Sequence, residues 1–277
     1  MLRFVGIVGD GRMKLNGRRQ AIMDVLLEGG TATVDELAAR FGVSRMTIHR
    51  DLDELEQGGL LRKVRGGASI QSTARFESDF RYRQTLAAEE KDRIARAAAE
   101  LVQDGQTVMI DDGSTAGCTA RHLKDLRPLA VISNNLTVIN ELAGAPGIEL
   151  IAVGGQYSKK FHGFFGLSCE ETLRSLRADV AFLSAAAIHG ASAFHQDHEV
   201  VQSKRLMIAA AERRYLLVDH SKFGRPALHF LSELKAFDLV LTGRAPDAEH
   251  SAVLDAASVR LRVVEDASDP KNEEEAE

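Results

Sequence analysis

Two cysteines in 277 residues, Cys118 and Cys169, have no metal-binding or redox spacing. No run of about 20 apolar residues occurs, and nothing has the order of a secretory leader. A membrane partner is therefore not expected, and a reducing cytoplasm is the natural compartment. The chain also lacks a surplus of positive charge, its formal net charge being -5. That deficit is local: residues 266–277, DASDPKNEEEAE, carry net -5 by themselves, and the remainder is formally neutral. This run reads as a solvated, disordered acidic tail, so any affinity for nucleic acid must come from local clusters of charge.

Residues 15–70 have the pattern of a winged helix-turn-helix. Thr33, followed three residues later by Glu36, forms a capping box, and Val34, Leu37, Ala38 and Phe41 set an apolar stripe at helical spacing. Gly42 supplies a tight turn and Ser44 a cap for a second helix. There Ile48, Leu52 and Leu55 share one arc, so Met46 and Arg50 point away from the core, with Thr47 and His49 on the flanks and Arg45 in the first turn. A major groove accepts one helix, whose first turns meet base edges and phosphates. Ser44, Arg45, Thr47, His49 and Arg50 are the candidate contacts. Next, Arg62, Lys63 and Arg65 concentrate charge before a glycine turn, as suits a β-wing lying on a phosphate backbone. Upstream, Ile22, Val25 and Leu26 complete a three-helix core, while Arg12, Lys14, Arg18 and Arg19 add positive charge. The partner implied is an operator in double-stranded DNA. Residues 1–14 hold a glycine pattern faintly like a dinucleotide loop, but no helix and second strand follow it. They are read as a flexible arm, or as an overlong start with Met13 nearer the true beginning.

Residues 71–88 are polar, without a sustained apolar period, and read as a linker. From 89 to 265, after a first helix at 89–102, short apolar strands alternate with small-residue loops and amphipathic helices. The strands are expected at 107–111, 129–133, 148–153, 179–184, 215–219, 238–242 and 259–263. This alternation specifies an α/β domain with a mostly parallel sheet, in which ligands bind beyond the carboxyl ends of the strands. Asp112, Gly113, Ser114 and Thr115 close the first strand and open a helix, where N–H groups and two hydroxyls converge on an anion. Asn134 follows the second strand, and Gly154 and Gly155 the third, where a ligand can approach the backbone. Lys204 on a later helix, and Lys222 in the loop after Asp219, bring positive charge. Together they describe a pocket for a small phosphorylated polyol.

These residues carry a resemblance. Val43-Ser44, the run TIHRDL at 47–52 and RGGA at 65–68 resemble the amino-terminal signature of the DeoR family of bacterial transcriptional regulators. Glu90-Lys91, DGST at 112–115, Asn134-Asn135, Gly154-Gly155, Glu199, Lys204-Arg205 and DHSKF at 219–223 are similar to its sensor region, so the resemblance runs from Arg18 to about Leu261. It implies a sensor with the fold of ribose-5-phosphate isomerase that answers to a sugar phosphate, and it adds Glu199 to the candidate effector site. The runs at 134–136, 198–200 and 218–224 are most similar to glycerol-3-phosphate regulon repressors, making glycerol 3-phosphate the first candidate effector. The chain departs from the family pattern at His49, usually Arg, at AAAI 185–188, usually glycine-bearing, and at Thr242-Gly243, where an Asp often follows the Thr.

The expectation is a transcriptional regulator, a repressor of a carbohydrate or polyol operon, acting as a homo-oligomer because two-fold operators mirror protein dimers. No cofactor is expected. The alternative is a phosphosugar isomerase-like enzyme fused to a DNA-binding domain, since Asp197, Glu199 and Lys204 could move a proton α to a carbonyl. The resemblance implies loss of that turnover. His189, His195 and His198 match no full ligand set, so no metal is expected.

Overall fold

A computed structural model describes residues 18–19, 21–23, 25–26, 30–57, 61–69 and 80–265. The expected arm at 1–14, with Arg12 and Lys14, and the acidic tail lie outside the described residues, as does the linker up to residue 79. The chain divides into two compact units between Tyr82 and Arg83.

In the first unit, helical residues from 18 to 26 bury Ile22, Met23 and Leu26. Strand β1 (Thr31–Thr33) leads into helix α1 (Val34–Phe41), and α2 spans Arg45–Gln57. The capping box at the head of α1 is complete: Glu36 N donates to Thr33 Oγ1 at 3.2 Å, and Thr33 N donates to Glu36 Oε2 at 2.8 Å. Gly42 ends α1 in the left-handed region, with φ of 62°, as its lack of a Cβ allows. Ile48, Leu52 and Leu55 are buried, as are Val34 and Leu37 of α1, each aliphatic side chain contributing about 1.5–3 kcal/mol by leaving water. The wing is the hairpin β2 (Arg62–Val64) and β3 (Gly67–Ser69), which β1 joins in the antiparallel order β1-β3-β2. A Cβ on Gly67 would lie 2.2 Å from Ala32 O, so only glycine lets β1 and β3 close. Sequence periodicity did not reveal β1, because three residues are too short to show it and their partner lies far along the chain.

A short helix, α3 (Phe80–Thr85), falls within the expected linker and contains the division, and in the second unit α4 runs over Ala88–Ala99. Seven strands follow in the sheet order β15-β14-β12-β9-β4-β5-β6, all parallel. They are β4 (Thr107–Ile110), β5 (Leu129–Ser133), β6 (Ile148–Ala152), β9 (Ala178–Leu183), β12 (Ala211–Leu217), β14 (Leu239–Thr242) and β15 (Leu261–Val263). All seven expected strands are present, with ends shifted by a few residues. Both faces are packed, as parallel sheets require: Met109, Ala181, Leu183 and Leu216 serve one core, while Val108, Ile110, Val180, Phe182 and Leu217 serve the other. Helices α5 (Ser114–Gly117), α6 (Thr119–Leu123), α7 (Leu136–Leu142), α8 (Leu167–Ser175), α9 (His198–Ala210) and α10 (Ala248–Ala256) complete the layers. Two further elements are additions to the expected plan. A hairpin pairs β7 (Gln156–Ser158) with β8 (Gly163–Phe165), and a small antiparallel sheet orders β10 (Ala187–His189), β11 (Ser192–His195) and β13 (His229–Glu233) as β10-β11-β13.

Candidate functional site

The candidate DNA-reading surface is the outward side of α2 with the wing. Ser44 Oγ accepts from Thr47 N at 3.2 Å and contacts Thr47 Oγ1 at 2.9 Å, fixing the first turn of α2. Arg45, Met46, His49 and Arg50 are exposed, Thr47 is half-buried, and on the wing Arg62 and Arg65 are exposed. Two of the cations already have partners: Arg45 pairs with Asp35, and Lys63 Nζ with Asp53. Arg18 and Arg19, read from sequence as part of the positive surface, instead turn toward α2. They hold the buried Asp51 carboxylate at 2.6 and 3.3 Å. A buried carboxylate on the inner side of the recognition helix demands such partners, and this contact fixes the first helix against α2.

In the second unit the expected residues converge on the carboxyl ends of β4, β5 and β9. Asp111 is fully buried and accepts from Gly113 N at 2.8 Å and Ser184 N at 2.6 Å. A Cβ on Gly113 would fall 1.7 Å from Ser184 Oγ, so this glycine is needed for the β4 loop to reach β9. Lys204, buried on α9, pairs with Asp111, lies 2.9 Å from Asp112 Oδ1 and donates to Ser184 Oγ at 3.2 Å. Burial pushes the Asp111 carboxyl up. Burial also pushes Asp112 up, but Lys204 together with the other positive groups around it outweighs burial and holds that carboxyl low; burial lowers Lys204 in turn, and the two carboxylates together raise it. His195 joins this group against the Phe161 ring, at 5.5 Å between centroids. Burial lowers its pKa to about 3, so it stays neutral at physiological pH.

A second cluster lies at the end of β12. Asp219 is buried between Lys222, at 3.5 Å, and Lys91 of α4, at 3.8 Å. Burial outweighs Asp219 in lowering Lys91 to about 8, and it lowers Lys222 as well. Lys91 Nζ also donates to Arg83 O. Two ammonium groups thus share one carboxylate, with Arg83 and Cys118 in their field. Ser114 and Thr115, buried at the start of α5, begin the turn that ends at Cys118.

Other expected residues are placed differently. Asn134 is buried and donates to Phe164 O at 2.9 Å. Gly155, with φ of 143°, packs where a Cβ would lie 2.4 Å from Phe165 O, so its bareness serves the β7–β8 hairpin. Gly154 and Glu199 are exposed. An open depression of about 510 Å³ at the amino ends of β9 and β12 contains none of these groups.

Known proteins now bear on this arrangement. Residues 18–74 match the model of the DeoR-like helix-turn-helix domain, and residues 86–244 that of the DeoR C terminal sensor domain. The chain belongs to the DeoR family. It is 33% identical over 250 residues to the HTH-type transcriptional repressor GlcR of Bacillus subtilis (strain 168), covering 90% of this chain and 96% of that protein. It is 31% identical over 252 residues to the glycerol-3-phosphate regulon repressor of Escherichia coli (strain K12), covering 91% and 100%. Ribose 5-phosphate isomerase A of Methanocaldococcus jannaschii aligns over 49% of this chain and 54% of its own, at 21% identity and a TM-score of 0.36, too low to carry an argument.

This DeoR-family member is thus a DNA-binding transcriptional regulator with a sensor domain, and among its described residues no helix is long and apolar enough to cross a membrane. The sequence did not bring Lys91, Ser184 and His195 into the candidate effector site, although all three join the clusters described above. Ser184 was reachable as another hydroxyl at a strand end, and Lys91 as the cation beside Glu90 in the resemblance. His195 drew attention only as a possible metal ligand, because its burial comes from contacts across the fold.

Proposed function

We propose that this regulator represses a carbohydrate or polyol operon from the cytoplasm and releases it on binding a phosphorylated three- to six-carbon polyol. The observation that carries the reading is the Lys91–Asp219–Lys222 cluster, in which a buried and a half-buried ammonium group share one buried carboxylate. A phosphate dianion offers that surplus charge-assisted hydrogen bonds, which an unphosphorylated polyol cannot replace. Ser114 and Thr115 supply hydroxyls at the adjacent helix start. The names of relatives support the class, and glycerol 3-phosphate is the first candidate. A homo-oligomer on a two-fold operator is the expected assembly. The sensor works by binding and not by turnover, so pentose and triose phosphates are recovered unchanged after incubation with it.

The test is operator affinity measured with and without a panel of phosphosugars, beside Lys222→Ala. The parent should lose operator affinity with at least one phosphorylated compound and with none of the dephosphorylated forms. Lys222→Ala should bind operator normally and ignore the effector. Lys204→Ala is the poorer probe, because it would strand two buried carboxylates and destabilise the sensor. If no phosphosugar alters operator affinity or melting temperature, the sensor reading is wrong.

A further inference from the structure

Two buried acceptors at the strand ends have no donor. Asp112 Oδ2 and Asn134 Oδ1 are closed to solvent and accept no hydrogen bond among the described residues. Both side chains are otherwise tied down, Asp112 by its other oxygen to Lys204 at 2.9 Å and Asn134 by its amide to Phe164 O at 2.9 Å. They are also neighbours. A Cβ on Gly163 would lie 2.9 Å from the Asn134 carbonyl oxygen and 3.5 Å from Asp112 Cβ, so one hairpin glycine sits against both residues. An unsatisfied buried acceptor is costly, and two at one strand edge mark a place where donors belong. His195 stands in the field of Asp112. Its Nδ1 accepts from Asp197 N at 3.2 Å, which leaves the proton on Nε2.

We propose that Asp112 and Asn134 select the effector by its hydroxyl groups, accepting hydrogen bonds from a phosphorylated polyol and rejecting phosphorylated carboxylic acids of similar length. The inference rests on the phosphopolyol reading above and adds the other end of the ligand. Hydroxyls fit because each brings the donor that these oxygens lack. An acid would set a second anion against the Asp112 carboxylate, where burial leaves the repulsion weakly screened. A phosphate without hydroxyls would leave both acceptors unpaired. Because the two oxygens are closed to solvent, the β7–β8 hairpin that carries Gly163 must shift to admit the ligand.

The experiment is calorimetric titration of the full chain with three polyol phosphates, glycerol 3-phosphate, glucose 6-phosphate and ribose 5-phosphate. Propyl phosphate, 3-phosphoglycerate and 6-phosphogluconate serve as the contrasting probes. At least one polyol phosphate should bind, with propyl phosphate and both acids weaker by about tenfold or more. Asn134→Ala should weaken the polyol phosphate by about tenfold and leave propyl phosphate unchanged. Asp112→Asn turns an amide toward the ligand in place of a carboxylate oxygen. It should narrow the gap between acid and polyol phosphate by about tenfold, a gain that a damaged fold does not produce. Should Asp112→Asn fail to fold, Asn134→Ala decides alone. Acids that bind the parent as tightly as polyol phosphates, or variants with the parent's preferences, overturn this inference and leave the phosphopolyol reading standing. Failure of every phosphate to bind the parent overturns both.

Discussion

Lys91 shows how far burial can move one group. Its ammonium faces Asp219 and, with like charge, Lys222 and Arg83, with Cys118 nearby, and burial brings its pKa down to about 8. The folded value lies below the unfolded 10.5, so as pH falls from 10.5 toward 8 the unfolded chain takes up the proton first and stability declines. At neutral pH the folded protein therefore holds a costly, charged lysine. A phosphate dianion repays that cost, and its attraction fades once Lys91 deprotonates. Lys222, also lowered, acts in the same direction. Affinity for a phosphorylated effector should be greatest near neutral pH, above the phosphate's own second pKa of about 6, and should fall roughly fivefold or more from about pH 7.5 to 9.5. Titration across that range checks this, with Lys91→Met expected to bind weakly at neutral pH and to lose part of the slope. A flat profile in the parent would remove Lys91 from the phosphate site.

At the scale of elements, the reader's two parts make separable contributions. Arg50 lies on the exposed side of α2, so Arg50→Ala should cost about 1–3 kcal/mol and relax operator preference. Arg65 is exposed on the wing and is proposed to meet the phosphate backbone, so Arg65→Ala should weaken all sequences alike and reduce the salt slope by about 0.9. Gel-shift titrations over a salt series separate the two, and parental behaviour in both variants would move the DNA interface elsewhere. Elements such as α1 and α2 were legible because cap, stripe and turn are all local in sequence. The strands of the large sheet were legible too, being apolar runs bounded by polar ends, with β5 found at its observed limits. The small sheet and the β7–β8 hairpin escaped notice because their strands of three to five residues are not bounded apolar runs, and their pairing is set by the rest of the fold. The same limit applied to the site. Strand-end rules pointed to Asp112, Asn134 and Lys222, which the proposed site retains, but not to the holding of Lys204 by Asp111 and Asp112, since Lys204 and Asp111 are 93 residues apart. Nor could they tell that Arg18 and Arg19 turn inward to Asp51.

For the whole molecule, release from DNA requires that the effector favour the arrangement that binds operator poorly, because equal affinity for both shifts nothing. Linkage then makes the effect reciprocal. Whatever factor the effector takes from operator affinity, saturating operator DNA should take from effector affinity. Paired titrations should return the same ratio within error, and unequal ratios would mean that the two ligands do not share one equilibrium. The spacing between Asp111 and Lys204 also has a consequence in time. Chain elongation proceeds at about 5–20 residues per second, so on the order of 5–20 seconds pass between the synthesis of the acidic pair and that of its lysine, 93 positions on. The winged reader, whose family match ends at residue 74 within a compact unit of its own, is synthesised well before that. During each round of translation there is an interval in which a nascent chain can already touch DNA but has no means of responding to the metabolite, so full control depends on finished copies outnumbering those still being made.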